Sequence, residues 1–430
     1  MIFYTHHVLA ALVFIGFLLM ASVYRGYIRK NTESELFLLL LTGLALRLLM
    51  ASVDPFLQDW DERFHALVAK NLINHPLQPM LRVSPIMPYK MENWCCNHIW
   101  VHKQPLFLWQ MALSMTIFGI NEIAIRLPSV IMGAINIYFI YDIAKKWTQD
   151  TKVAYLAALL FTVSYYQLEL TSGNFALDQN DLTFAFYVTA GIWAFVRYLH
   201  DKKQAYFWSI LVGVFVGCAV LNKWLTGVLV FGTWGLYELL ASNRKFDFET
   251  WKPLILSVLT SLLVFVPWQL YILKNYPLES SLMYEHNRRH IFEVLDNHHG
   301  SIWFHLNQMR TTYGQLLLVF LPIGVYSILS NKLLNHKLSI SLLATVVIIY
   351  SFFSFVVQTK MPAFTFPVNA LIWTVIAAGI IFGYKFLFKK EPAFVLMFLV
   401  FILAVYTLKP WQIAGQRSIN NRLVTGNNRY

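Results

Sequence analysis

The chain has 430 residues, of which 57% are apolar and 13% charged, with a mean hydropathy of +0.53. A soluble domain usually carries about 25% charged residues, so these charges cannot cover a water-facing globule, and they suit a lipid perimeter. The net charge of +12 marks membrane orientation and outer loops and gives no reason to expect a nucleic-acid partner.

Crossing a bilayer takes about 20 mainly apolar residues, and every backbone amide must be satisfied within the segment, which leaves helices. Spans are predicted at 7–24, 36–53, 124–143, 153–170, 181–199, 206–222, 225–241, 254–273, 314–330, 338–357, 368–384 and 393–408. The first does not read as a signal peptide: no basic segment precedes it, and Arg25, Arg29 and Lys30 follow it. The stretch 105–120 is short and interrupted by Gln110, and is expected to be a half-buried surface helix. The fold class is therefore an all-α polytopic membrane protein with roughly 12 transmembrane helices and a juxtamembrane helical outer loop. Residues 1–408 form one membrane domain and 409–430 a short polar tail.

Short basic loops recur at alternate turns: Arg25/Arg29/Lys30, Lys145/Lys146/Lys152, Lys202/Lys203, Arg244/Lys245/Lys252, Lys332/Lys337 and Lys385/Lys389/Lys390. That regularity puts them on the cytoplasmic side. The other side has as many basic residues, but in longer loops that the rule discounts. Both termini and the long loops 54–123 and 274–313 are then expected outside. Cys218 falls in a span and reads as packing, while Cys95 and Cys96 are adjacent in an outer loop.

Five polar patches fall on that outer side. In the first, Asp61 and His65 lie one helical turn apart, and Asp59 with Glu62 fits a capping box. The second runs from Cys95 to Leu106 and holds His98, His102 and Lys103. Lys103 reads either as an anchor reaching the interface or as a cation for a phosphate. The Cys and His residues there match no closed zinc spacing. The third contains Asp178 and Asp181, of which capping explains one. In the fourth, Glu285-His286-Asn287-Arg288-Arg289-His290, continuing to His305, vicinal arginines suit bidentate phosphate capture although such runs are commonly solvated surface. The fifth is Gln358 to Pro367, including Lys360.

An Asp-Glu helix, a Lys-x-Pro-Leu junction, then Phe118-Gly119 with Arg126-Leu127-Pro128-Ser129 resembles the membrane glycosyltransferases of the GT-C fold. Within that fold it resembles the branch of bacterial aminoarabinose transferase and the protein O-mannosyltransferases. Leu221-Asn222-Lys223 and Thr359-Lys360 with Phe366-Pro367 follow in the same order, so the likeness covers 54–370.

The resemblance implies an inverting enzyme. It would move sugar from a polyprenyl-phosphate donor to a lipid (lipid A-like) or protein acceptor, outside a bacterial-type plasma membrane. It further implies Asp61 as general base beside Glu62, with Asp178 on the acceptor side. Lys103, Arg288, Arg289 and Lys360 would serve the donor phosphate, and His65, His102, Asp181 and His286 would line the cavity. No cofactor is fixed, and a divalent metal ion is left open. Gln104 departs from the usual Lys-Pro-Pro, His102 stands where a Glu is common, and Phe366 stands where an aromatic hydroxyl is common. A transporter or flippase of lipid-linked saccharide is the alternative. It would place ionisable groups near the midplane, whereas here the acids lie at outer ends and Arg47 is the main mid-span charge.

Overall fold

A computed structural model describes residues 5–27, 32–54, 56–57, 61–86, 97–172, 179–223, 225–241 and 247–388. The expected span 393–408, the tail 409–430, Asp59, Cys95, Cys96 and Asp178 lie outside the described residues.

The described regular structure is helical, with one isolated antiparallel bridge between Met80 and Ile99. A first hairpin pairs α1 (Thr5–Tyr27) with α2 (Thr32–Ser52). Two shorter helices follow, α3 (Asp61–Leu72) and α4 (Leu106–Phe118), then α5 (Glu122–Thr148). Next come α6 (Thr151–Thr162), α7 (Tyr165–Ser172), α8 (Gln179–His200), α9 (Ala205–Lys223) and α10 (Leu229–Ala241). The remainder are α11 (Phe248–Asn275), α12 (Pro277–Phe292), α13 (Phe304–Tyr313), α14 (Phe320–Ser330), α15 (His336–Ser351) and α16 (Asn369–Leu387).

Eight described helical stretches are long and apolar enough to cross a membrane alone, and two bent pairs raise the number to ten. One pair is α6 with α7, bent by 47°; the other joins α13 to the segment Leu317–Ser330 at 116°. The expected span 225–241 is helical throughout, but not as one regular α-helix. Leu225–Val228 winds as a 3₁₀ turn and leaves 13 residues for α10. Thr226 donates to the Lys223 carbonyl, and Gly227 sits against Ala219 and Val220, so a tight hairpin consumes the first turn. The stretch 105–120 is the half-buried helix expected: Phe107, Leu108, Met111 and Met115 pack inward at helical spacing, and Leu113 and Ile117 face out.

Caps mark the chain's reversals. Asn121 accepts from the Ala124 amide at the start of α5, and Asp150 accepts from Lys152 and Val153 at the start of α6. The helices α6, α8 and α16 are buried in the centre of the bundle, while α1 and α11 show mostly lipid-facing sides. Helices α14 and α16 touch backbone to backbone. A Cβ on Gly324 would collide with the Val375 carbonyl, and one on Gly379 with the Phe320 carbonyl. Small residues allow this approach where lipid supplies no hydrophobic drive between helices.

The two ends of the bundle differ chemically. At one end basic residues from alternate turns meet: Lys385 pairs with Asp150 at 2.9 Å, Arg197 and Lys146 with Asp142, and Lys337 donates to the Ala241 carbonyl. At the other end the five polar patches converge.

Candidate active site

The site is built outward from a buried ion pair. Helix α3 is short and only one of its faces is apolar, so its position must be fixed by something besides packing. Arg126, on α5, donates Nε and Nη2 to Glu62 at 2.7 and 3.0 Å. Its other N–H groups go to the carbonyls of Ala51, Asp54 and Phe56 at 2.9, 2.6 and 2.9 Å. Gln179 at the start of α8 donates to the same Glu62 carboxylate at 2.8 Å. Glu62 therefore does orient its helix, through a fork to an arginine 64 residues away. A buried carboxylate gains more from a guanidinium than from one amide.

That anchor leaves Asp61, one residue earlier, at the rim. Its Oδ2 lies 4.0 Å from Lys103 Nζ, with the two side chains 30% and 21% exposed. A carboxylate and an ammonium, close together and both partly exposed, are the pair that acid–base and phosphate chemistry require. His65, one turn further along α3, is buried. Its ring is buried against Trp100 and Phe107, at 5.8 and 4.7 Å between centroids, so it packs α3 on α4 and does not line the opening.

Helix α12 closes the far side of Lys103. His102 stands 5.3 Å from His286, and His286 stands 4.9 Å from His290. Burial first, then the Lys103 charge and the neighbouring imidazoles, holds His102 well below the usual histidine range. Burial also lowers His286, against the opposing pull of Asp296. His290 is pushed down to about 4, by burial and then by His286. These imidazoles are neutral at neutral pH. Asp296 comes from the loop after α12, where it and Asn297 adopt left-handed backbone (φ 52° and 60°) that Asp and Asn tolerate best after glycine. His286, His290 and Asp296 bring ligand atoms within 4.8 Å of one another.

The vicinal arginines are not in this group. Arg288 bonds Glu285 at 2.7 and 2.8 Å and Arg289 bonds Glu293 at 2.7 Å, both pairs exposed on the outer face of α12. Helical geometry separates neighbouring residues by about 100°, so with His286 and His290 turned to Lys103, the arginines turn away.

Lys360 also departs from its expected place. Its ammonium is buried and donates to the carbonyls of Phe353, Ser354 and Val357 at the end of a π-helical turn. Burial lowers its pKa. Its segment is stitched to the α12 end: Gln358 and Thr359 amides donate to the Ile291 and His290 carbonyls, and the Lys360 amide to the His298 carbonyl. Lys360 thus supports the outer loop and offers no free cation to it.

On the third wall, Asp181 is buried and ion-paired with Lys223 at the end of α9. Beside it Asn222 donates to Asn180 at 2.6 Å and shares a bond with Thr183. Phe366 meets Tyr166 edge-on at 5.1 Å, so a tyrosine lies next to the position that lacks a hydroxyl.

Residues 102–271 match a protein family described as dolichyl-phosphate-mannose-protein mannosyltransferase. An uncharacterised protein of Aquifex aeolicus is 27% identical over 186 residues, covering 43% of this chain and 34% of that one. An undecaprenyl phosphate-α-4-amino-4-deoxy-L-arabinose arabinosyl transferase of Pseudomonas aeruginosa is 28% identical over 172 residues, 38% of this chain and 29% of its own. The chain thus spans about a third of the length of these relatives. Two solved structures superpose more widely. ArnT from Cupriavidus metallidurans, bound to undecaprenyl phosphate, gives a TM-score of 0.63 at 18% identity, covering 80% of this chain and 59% of that one. The archaeal oligosaccharyltransferase AglB from Archaeoglobus fulgidus gives 0.60 at 14%, covering 89% and 56%. The fold is GT-C, shared with the ArnT and AglB structures.

In this GT-C chain the residues that sequence reading passed over are Arg126 and Lys223. Both stand in motifs that carry the resemblance, yet neither reads as a site residue on its own. The signal that points to them is indirect. Glu62 and Asp181 are acids on helices inside a lipid-facing protein, and each such acid needs a cation.

Proposed function

We propose that the chain transfers a glycosyl group from a polyprenyl-phosphate-linked sugar to a lipid or protein acceptor, by an inverting displacement on the extracytoplasmic side. The observation that carries this reading is the half-exposed pair of Asp61 and Lys103. Asp61 takes the acceptor hydroxyl proton as the new bond to the anomeric carbon forms. The anomeric carbon–phosphate oxygen bond breaks on the opposite face, and the polyprenyl phosphate leaves with its charge met by Lys103. The named activity of the Pseudomonas relative and the carrier in the ArnT structure support the donor class. The gathering of short basic loops at the other end of the bundle supports the orientation.

A divalent cation fits His286, His290 and Asp296, because two neutral imidazoles and a carboxylate form a borderline-soft donor set. It would add positive charge beside Lys103.

The test is reconstitution of the purified protein in proteoliposomes with a mixed pool of polyprenyl-phosphate sugars and a membrane-lipid or peptide acceptor fraction. Mass spectrometry should find free polyprenyl phosphate and a glycosylated acceptor in equal amounts. Movement of intact donor across the bilayer without either product would overturn the reading.

A further inference from the structure

Lys103 is bracketed by two contacts that both end on α12. On one side His102 meets His286. On the other, the buried Gln104 accepts through Oε1 from Gln269 Nε2 on α11 at 2.8 Å. Gln269 Oε1 in turn accepts from the Tyr284 hydroxyl on α12 at 2.7 Å. The Gln104 amide nitrogen is buried with no acceptor among the described residues, so the Oε1 bond alone fixes that side chain. An apolar cluster of Val101, Trp268, Ile272 and Met283 packs the same three elements together independently of the amides.

A lysine ammonium on four rotatable bonds samples a wide volume, and the loss of that freedom opposes binding. Fixing the residue on each side of it narrows the volume. We propose that Gln104, Gln269 and Tyr284 are positioning residues that hold the Lys103 ammonium at a set distance from α12 for capture of the donor phosphate. This rests on the glycosyl-transfer reading above. The relay is directional and buried at its Gln104 end, and its ends lie on the two elements that must be kept in register. The apolar cluster keeps the fold when the relay is cut.

The experiment measures the affinity of the full chain in nanodiscs for undecaprenyl phosphate and for uncharged undecaprenol. Tyr284→Phe keeps the ring and removes the hydroxyl, and Gln269→Leu cuts the relay at its middle. Each should weaken undecaprenyl phosphate about tenfold and leave undecaprenol affinity and the melting temperature unchanged. In a Lys103→Ala background the same changes should add nothing, because they act through the same group. Equal losses on both lipids, no loss, or additive losses in the double variants would each overturn the relay. A parent protein that binds the phosphate no better than the alcohol would overturn the glycosyl-transfer reading as well, so the two failures are separable.

Discussion

Asp61 and Glu62 are sequence neighbours with opposite fates: Glu62 is locked to Arg126 at 2.7 Å inside the protein, while Asp61 stands 4.0 Å from Lys103 at the opening. A helix turn of about 100° per residue separates the anchor from the reactive group. Replacing Asp61 with Asn keeps size and helix-end polarity but removes basicity. Turnover should fall about 10²–10⁴-fold, with melting temperature and carrier binding preserved. Transfer at the parent rate would leave Asp61 a helix-end residue only and move the search for the base to Asp178 or Asp181.

Lys103→Ala should weaken polyprenyl phosphate by about tenfold or more, the loss of one charge-assisted bond. Arg288→Ala and Arg289→Ala should each change it by less than about twofold, since both arginines pair on their own exposed helix face. Titration of the fluorescent carrier into the three variants separates these forecasts. A larger loss in either arginine variant would return the vicinal pair to the phosphate site.

Arg126→Met leaves Glu62 buried without its guanidinium and frees three carbonyls. Breaking such a pair costs about 3–5 kcal/mol, so the variant should melt far earlier in detergent, or be degraded in cells. The double change Arg126→Met with Glu62→Met should recover a large part of that loss. A single variant as stable as the parent would mean that α3 is held by packing.

Metal binding at His286, His290 and Asp296 should resist acid. A proton competes with a metal for an imidazole below that imidazole's pKa. An unperturbed histidine would begin to lose metal near pH 6.5, but burial holds His290 at about 4 and lowers His286. If the cluster holds the proposed cation, cobalt affinity, followed by its visible absorption, should begin to fall at a lower pH than unperturbed imidazoles would give. His290→Ala should abolish it. A midpoint near 6.5, or binding that survives His290→Ala, would remove the ion from this cluster.

Cysteines introduced at Ser84 and Ser281, both exposed in the long loops, should react with a membrane-impermeant maleimide from outside intact cells when the native cysteines are absent. Labelling only after the cytoplasm is opened would invert the orientation.

The long helices were legible because 18 or more apolar residues leave the backbone no other way to cross lipid. For 225–241 composition gave the bounds but not the winding: the 3₁₀ turn at Leu225–Val228 packs against α9, a contact that residue counting does not see. Polar clustering singled out Asp61 and Lys103, since polarity in such a chain is costly, and the two stand 4.0 Å apart. It could not find the Glu62–Arg126 fork, which joins residues 64 apart. Nor could it show that Lys360 serves carbonyls, because those carbonyls are exposed by a π turn that no residue pattern announces. Arg288 and Arg289 read as a phosphate clamp until their helix showed which way each one faces.

The meeting of α14 and α16 at Gly324 and Gly379 has a mechanical meaning. At these two positions the helices touch through their backbones, with no side chain between them to slide or swing, so the seam is stiff there. The proposed carrier has a long hydrocarbon tail and would enter sideways from the lipid, and a seam pinned at two glycines would resist opening as its gate. Filling either glycine with alanine should therefore loosen the protein without widening the route to the site.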